Sequence, residues 1–206
     1  MKNLDSISET IRAELNVKDE AREKMLPLSR DAIRCCSQAI RAIHRQEFDS
    51  AEEQLKKATE LITTAAEAIS ERPELGGSGA HKDAQKELAE GYITLAIVTG
   101  KDLPEPAQLR VDGAAYLNGM GEAVGEVRRY LLDGLRRGDL SRGEELLGAM
   151  DDIYSVLVTF DYPDAVTGGL RRTTDMVRGV LERTRSDLTL TIQQKRLEEK
   201  LESLQQ

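Results

Sequence analysis

Leu55, Ala58, Leu61, Ile62, Ala65 and Ile69 fall three or four residues apart. That repeat places every member on one stripe of an α-helix, whereas a half-buried strand needs alternation at every second residue. Helical spacing returns in Ile33, Ala39, Ile40 and Ile43, in Leu88, Tyr92, Leu95 and Ala96, and again in Leu146, Leu147, Met150, Ile153, Leu157 and Val158. With only five prolines, 3% aromatic residues and few β-branched runs, the chain is predicted to be all-α. Its 206 residues, 39% of them apolar, suffice for a single helical domain over 1–206 with a buried core.

Turn residues divide the pattern into about six or seven helices. The first is expected from about Asp5 to about Arg45, with Pro27 either dividing it or sitting as a kink. The segment Gln46 to Ser50 reads as a turn in which Asp49 or Ser50 can cap a second helix, ending near Arg72 and Pro73. Gly76-Gly77-Ser78-Gly79 is expected as a flexible loop. A third helix follows from about Lys82 to about Val98, and Pro104 and Pro106 interrupt the next stretch. A fourth is expected from about Gly113 to about Leu135, closed by Gly138-Asp139. Ser141 and Glu144 have the form of a capping box for a fifth helix, which Pro163 ends. A long C-terminal helix is expected from about Asp164, its start weakened by Gly168 and Gly169. Along it Leu190, Leu197 and Leu204 recur every seven residues with Leu201 beside them. That narrow seam fits either the chain's own bundle or another subunit.

The net charge is −8, so any nucleic-acid contact must come from a local basic patch. Five arginines, Arg171, Arg172, Arg178, Arg183 and Arg185, stand close together against Asp175 and Glu182; a second group comprises Arg128, Arg129, Arg136, Arg137 and Arg142. The adjacent Cys35 and Cys36 are poorly placed for a disulfide with each other, no Cys/His set has zinc spacing, and no apolar signal core or membrane-length stretch is present. A reducing, cytoplasmic setting without membrane attachment is the expectation. There is no phosphate loop with its lysine. His44 reads as a helix-end residue favoured by the dipole, and His81 as a surface residue or a phosphate contact.

Acidic residues on helices usually serve solvation. Glu87 and Glu90, and then Glu122 and Glu126, differ in their company: each pair is spaced to share one side of a helix and sits among small or apolar residues. Gly119, Gly121 and Gly125 flank the second pair, although each costs about 1 kcal/mol of helix stability relative to Ala. Such glycines admit a close approach by another backbone or a substrate. Two such helices facing each other would gather carboxylates into an all-oxygen site for Mg2+ or Mn2+, a setting for metal-assisted phosphodiester hydrolysis.

Several segments resemble the translin family, which comprises translin, translin-associated factor X and archaeal relatives. These are Leu28-Ser29-Arg30-Asp31, His44-Arg45, Glu87-Leu88-Ala89-Glu90, Tyr116-Leu117-Asn118-Gly119, Gly125-Glu126-Val127-Arg128-Arg129 and Gly138-Asp139, in that order along most of the chain. The likeness is nearest to the factor X branch of archaeal type. It implies a translin-like helical bundle, a closed homo-oligomer, often an octamer, and binding of single-stranded RNA or DNA. In the factor X branch it further implies a metal-dependent endoribonuclease. Its catalytic acids map to Glu87, Glu90 and Glu122, with Glu126 as a further acid near the metal. At position 122 the branch pattern has Asp, one methylene shorter than the Glu found here. Arg129 matches the family's arginine, and Arg22 resembles a basic position of translin implicated in nucleic-acid contact.

Two other readings follow from the same residues. A non-catalytic shell would bind single-stranded nucleic acid without cutting it. A helical scaffold would use its C-terminal leucine seam to recruit a partner.

Overall fold

The computed structural model describes residues 3–76 and 79–204. Among them there are helices and no strands: α1 (Leu4–His44), α2 (Phe48–Ala68), α3 (Pro73–Gly76), α4 (Gly79–Thr99), α5 (Pro106–Leu109), α6 (Gly113–Arg136), α7 (Gly143–Leu157), α8 (Asp164–Thr167) and α9 (Leu170–Leu204). Six are long, and α3, α5 and α8 are single turns. The all-α expectation and the long C-terminal helix both hold.

α1 packs along α2, α4 lies against both, and α6 follows on α4. α7 and α9 then pack on α6 and on each other. One continuous apolar cluster runs through this stack, from Cys36, Ile43, Leu55 and Ile62 through Leu88 and Ile93 to Val124, Val127, Met150 and Leu170. The apolar stripe of Leu55, Ala58, Ile62 and Ala65 is the inner face of α2; all four are buried, as is Ile69 at its C-terminal cap, and Leu61 packs on the cluster from its edge.

Backbone chemistry sets the ends. Gln46 (φ 62°), Gly100 (φ 67°) and Gly138 (φ 79°) take the left-handed conformation just beyond α1, α4 and α6, which lets the chain leave the helix. The Asp112 side chain accepts hydrogen bonds from the Ala114 and Ala115 amides at 2.8 and 3.3 Å and so caps α6.

Several expected boundaries are corrected. α1 runs unbroken through Pro27. α2 starts at Phe48 with no side-chain cap, so neither Asp49 nor Ser50 caps it, and it stops at Ala68 rather than near Arg72. Of the glycine-rich loop, Gly76 ends α3 and Gly79 begins α4, while Gly77 and Ser78 lie outside the described residues. Ser141 does not cap α7, because its amide and hydroxyl both donate to Asp139 Oδ1 and Arg142 is the residue before the helix. α7 ends at Leu157, ahead of Pro163. The last helix does not begin at Asp164: left-handed Gly168 (φ 62°) and Gly169 (φ 88°) separate the single turn α8 from α9.

Both terminal helices leave apolar seams uncovered within the chain. Leu190, Leu197, Leu201 and Leu204 are 51–82% exposed, so the seam of α9 is not packed on its own bundle. Leu4, Ile7, Ile11 and Leu15 on α1 are similarly exposed.

Candidate functional site

Glu87 and Glu90 stand one helical turn apart on α4, and Glu122 faces them from α6. A carboxylate oxygen of each lies within 4.8 Å of the other two. The approach depends on Gly119. A methyl group there would lie 2.5 Å from the Lys86 carbonyl oxygen, 2.8 Å from Ala89 Cβ and 3.0 Å from the Glu90 amide nitrogen. Only a residue without Cβ lets α6 come this near the α4 backbone. Gly121 serves a second contact, since a methyl there would meet Thr173 of α9 at 2.3 Å. Gly125 differs, for no atom of the described residues lies within 4 Å of its added Cβ.

All three acids are half-buried, and the crowding is visible in their protonation. Burial, reinforced by Glu87, Glu122 and Glu126, pushes the Glu90 carboxyl up to about 8 against the opposing pull of Lys86. Glu87 is raised as well, by burial first and then by Glu122. Cys36 of α1 lies beneath them, fully buried. Its thiol is pushed up by burial and by Glu87, Cys35 and Glu90, which makes it a poor nucleophile.

Lys86 Nζ donates to Glu122 Oε1 at 2.8 Å. Partial burial works against this ammonium, but the bond and charge of Glu122, with Asp83 and Glu87, outweigh it and hold its pKa above the ordinary lysine value. One cation thus faces three acids, and Glu90 takes up a proton to relieve the remainder. Three convergent carboxylates short of positive charge suit a hard divalent cation of the Mg2+ or Mn2+ kind.

Glu126 is not in this convergent set. It accepts from His44 Nε2 at 2.5 Å and sits 3.8 Å from Arg129, close enough to the others to help raise Glu90. Arg129 itself is exposed. Arg22 is exposed on α1, pairs with Glu23, and lies about 20 Å along the helix axis from Cys36. His81 is neither a surface residue nor a phosphate contact: it is 2% exposed and receives a hydrogen bond from Gln85, whose oxygen in turn accepts the Asp112 amide.

A cleft of about 560 Å³ opens beside the acids between α4, α6 and the start of α9, with Glu122 and Lys86 on its wall and Lys82, Arg172 and Thr173 further along. Asn118 holds this wall together. Its amide donates to the Thr167 and Ala114 carbonyls, and its oxygen accepts from Thr173 Oγ1 at 2.7 Å. Residue type and spacing alone do not single out Lys82, Lys86 or Asn118. Asn118 had one visible signal, an amide within a helix between Leu117 and Gly119, where a polar residue needs a partner. Arg128 is structural and ties α6 to Thr184 and Asp187 of α9.

No protein-family profile matches the chain. It is 32% identical over 190 residues to the uncharacterized protein MJ0175 of Methanocaldococcus jannaschii, covering 91% of this chain and 84% of that protein. Among solved structures, AfC3PO in a complex with duplex RNA superposes with a TM-score of 0.82 at 36% identity, covering 89% of this chain and 95% of that one. This chain belongs to the translin family, C3PO type. Apo-NeC3PO shares the fold at a TM-score of 0.74 and 20% identity, over 93% of this chain and 98% of that one. As a family member the chain has the expected helical stack. No helix among its described residues is long and apolar enough to cross a membrane.

Proposed function

We propose that this protein is a metal-dependent endoribonuclease of the factor X kind, built as a homo-oligomeric shell. The carrying observation is the meeting of Glu87, Glu90 and Glu122, from two helices, within 4.8 Å. The similarity to AfC3PO, a protein solved with duplex RNA, supports RNA as the substrate. The exposed leucines of α9 and the apolar stripe of α1 support assembly, with an octamer as the family's precedent.

Glu87, Glu90 and Glu122 would hold Mg2+ or Mn2+. When bound, such an ion polarises a phosphoryl oxygen and lowers the pKa of water. The chain's own groups supply the remainder. Glu90, whose carboxyl is pushed up to about 8, would have to give up its proton to serve as a ligand. Lys86 orients the Glu122 carboxylate, and Gly119 keeps the two acid-bearing helices in register. Buried Cys36 and the apolar cluster beneath exclude water from below, so the acids meet solvent on one side only.

A labelled RNA oligonucleotide incubated with Mg2+ or Mn2+ tests this reading. Cleavage is expected from the native protein and is expected to be lost in Glu90→Gln. Equal cleavage by a folded Glu90→Gln protein rules out the mechanism.

One contact favours a second reading. Lys86 already neutralises part of Glu122, as it would in a shell that binds RNA without cutting it. RNA binding in chelator together with no cleavage in either metal would select that alternative.

A further inference from the structure

We infer that the cleft beside the acid cluster is a track for nucleic-acid phosphates, with Lys82 and Arg172 as its cations and Lys86, paired with Glu122, at the end where it joins the acids. The inference rests on the nuclease reading and adds to it where the strand runs on leaving the acids.

Continuity is the first argument. Glu122 belongs both to the convergent acids and to the cleft wall, and Lys86 joins the two through its bond to Glu122. A strand with one phosphate at the acids therefore meets this concave surface next. Charge is the second. The chain carries −8 overall, yet this wall sets Lys82, Lys86 and Arg172 against Asp83 and Glu122, a local excess of positive charge. Lys82 and Arg172 make no ion pair among the described residues, so both are available to a ligand. The shape of the floor is the third. Gly168 and Gly169 line it with bare backbone, and no atom of the described residues lies within 4 Å of an added Cβ at Gly169. A phosphate can come close there, at the start of a 35-residue helix whose dipole adds positive potential. Asn118 is spent on Thr167, Ala114 and Thr173, so it braces the floor and is not a donor to the strand. Among the described residues no aromatic side chain lines the cleft. Recognition should therefore be of backbone and not of bases.

The test is fluorescence anisotropy of a labelled single-stranded oligoribonucleotide with the full chain in chelator. Lys82→Gln and Arg172→Gln, both at exposed positions, are compared with Arg178→Gln, an equal charge change on α9 outside the cleft. Each cleft variant should weaken binding by about tenfold, as for a lost charged contact. Each should flatten the salt dependence by about 0.7 in log–log slope. Arg178→Gln should bind as the native protein does. Native affinity and slope in the Lys82→Gln/Arg172→Gln double variant, or equal weakening by Arg178→Gln, would overturn the track while leaving the metal-dependent cleavage assay intact. Failure of the native protein to bind RNA at all would remove the nuclease reading, and the track with it.

Discussion

His44 Nε2 lies 2.5 Å from Glu126 Oε2 and so joins the last residue of α1 to α6 beside the acid cluster. The histidine side chain is 6% exposed, and among the described residues its Nδ1 has no hydrogen-bond partner. The bond therefore accounts for the burial of a polar ring and for the orientation of Glu126 together. Replacing His44 with Ala leaves that carboxylate without its short partner. The expected cost is about 1–3 kcal/mol in denaturant unfolding. A His44→Ala/Glu126→Ala double-mutant cycle should show clear coupling, because the two side chains touch. Strict additivity would mean that the contact contributes nothing.

Gly119→Ala and Gly125→Ala should act in opposite directions. At Gly119 the new methyl meets the Lys86 carbonyl, a backbone atom that cannot swing away. Overpacking of about 1–3 kcal/mol should exceed the gain in helix propensity. At Gly125 there is open space, and the same change should stabilise the chain by about 0.5–1 kcal/mol. Thermal unfolding of the two variants reads both signs. The Gly119 variant should also lose Mn2+ affinity by calorimetry, because its acids are pushed apart.

Metal-free stability should fall as pH rises from about 6.5 to about 9. Glu90 is raised from 4.5 to about 8 in the folded chain, so in that window the native state holds more protons than the unfolded one. Stability from this group is complete at low pH and is lost on passing through the folded pKa. Glu87 acts in the same sense. His81, lowered by burial, acts oppositely but mainly at lower pH. Melting temperatures in chelator should trace this decline and flatten in Glu90→Gln. Added Mn2+ should raise the native melting temperature most at the alkaline end, where the acids are ionised.

The seam of α9 should govern assembly and not folding. Leu197→Glu and Leu201→Glu change side chains that are already 58% and 51% exposed. Helical content by circular dichroism should persist while the mass by light scattering drops. A native mass in the double variant would move the interface elsewhere.

Much of the fold was legible because helical packing is local. A buried helix must repeat its apolar residues every three or four positions, and Leu55, Ala58, Ile62 and Ala65 do so openly. Left-handed turns also announce themselves where glycine occupies them, as at Gly138. Capping was less legible. Ser141 has a capping residue's chemistry, but Asp139 two residues earlier captures both its donors, and competition between neighbouring polar groups is not a property of either residue alone. Gly168 and Gly169 looked like weak helix and proved to be a break.

By itself the sequence determined the all-helical stack and the candidacy of Glu87, Glu90 and Glu122. Residue type and spacing decide which side of a helix carries a carboxylate. Only the tertiary structure decided that Glu122 meets the first two while Glu126 turns to His44, that Arg22 lies far along α1, and that Lys82 and Arg172 share one cleft. Those outcomes depend on how near α4 and α6 approach at Gly119 and on where α9 restarts after Gly169, distances set by packing between segments remote in sequence.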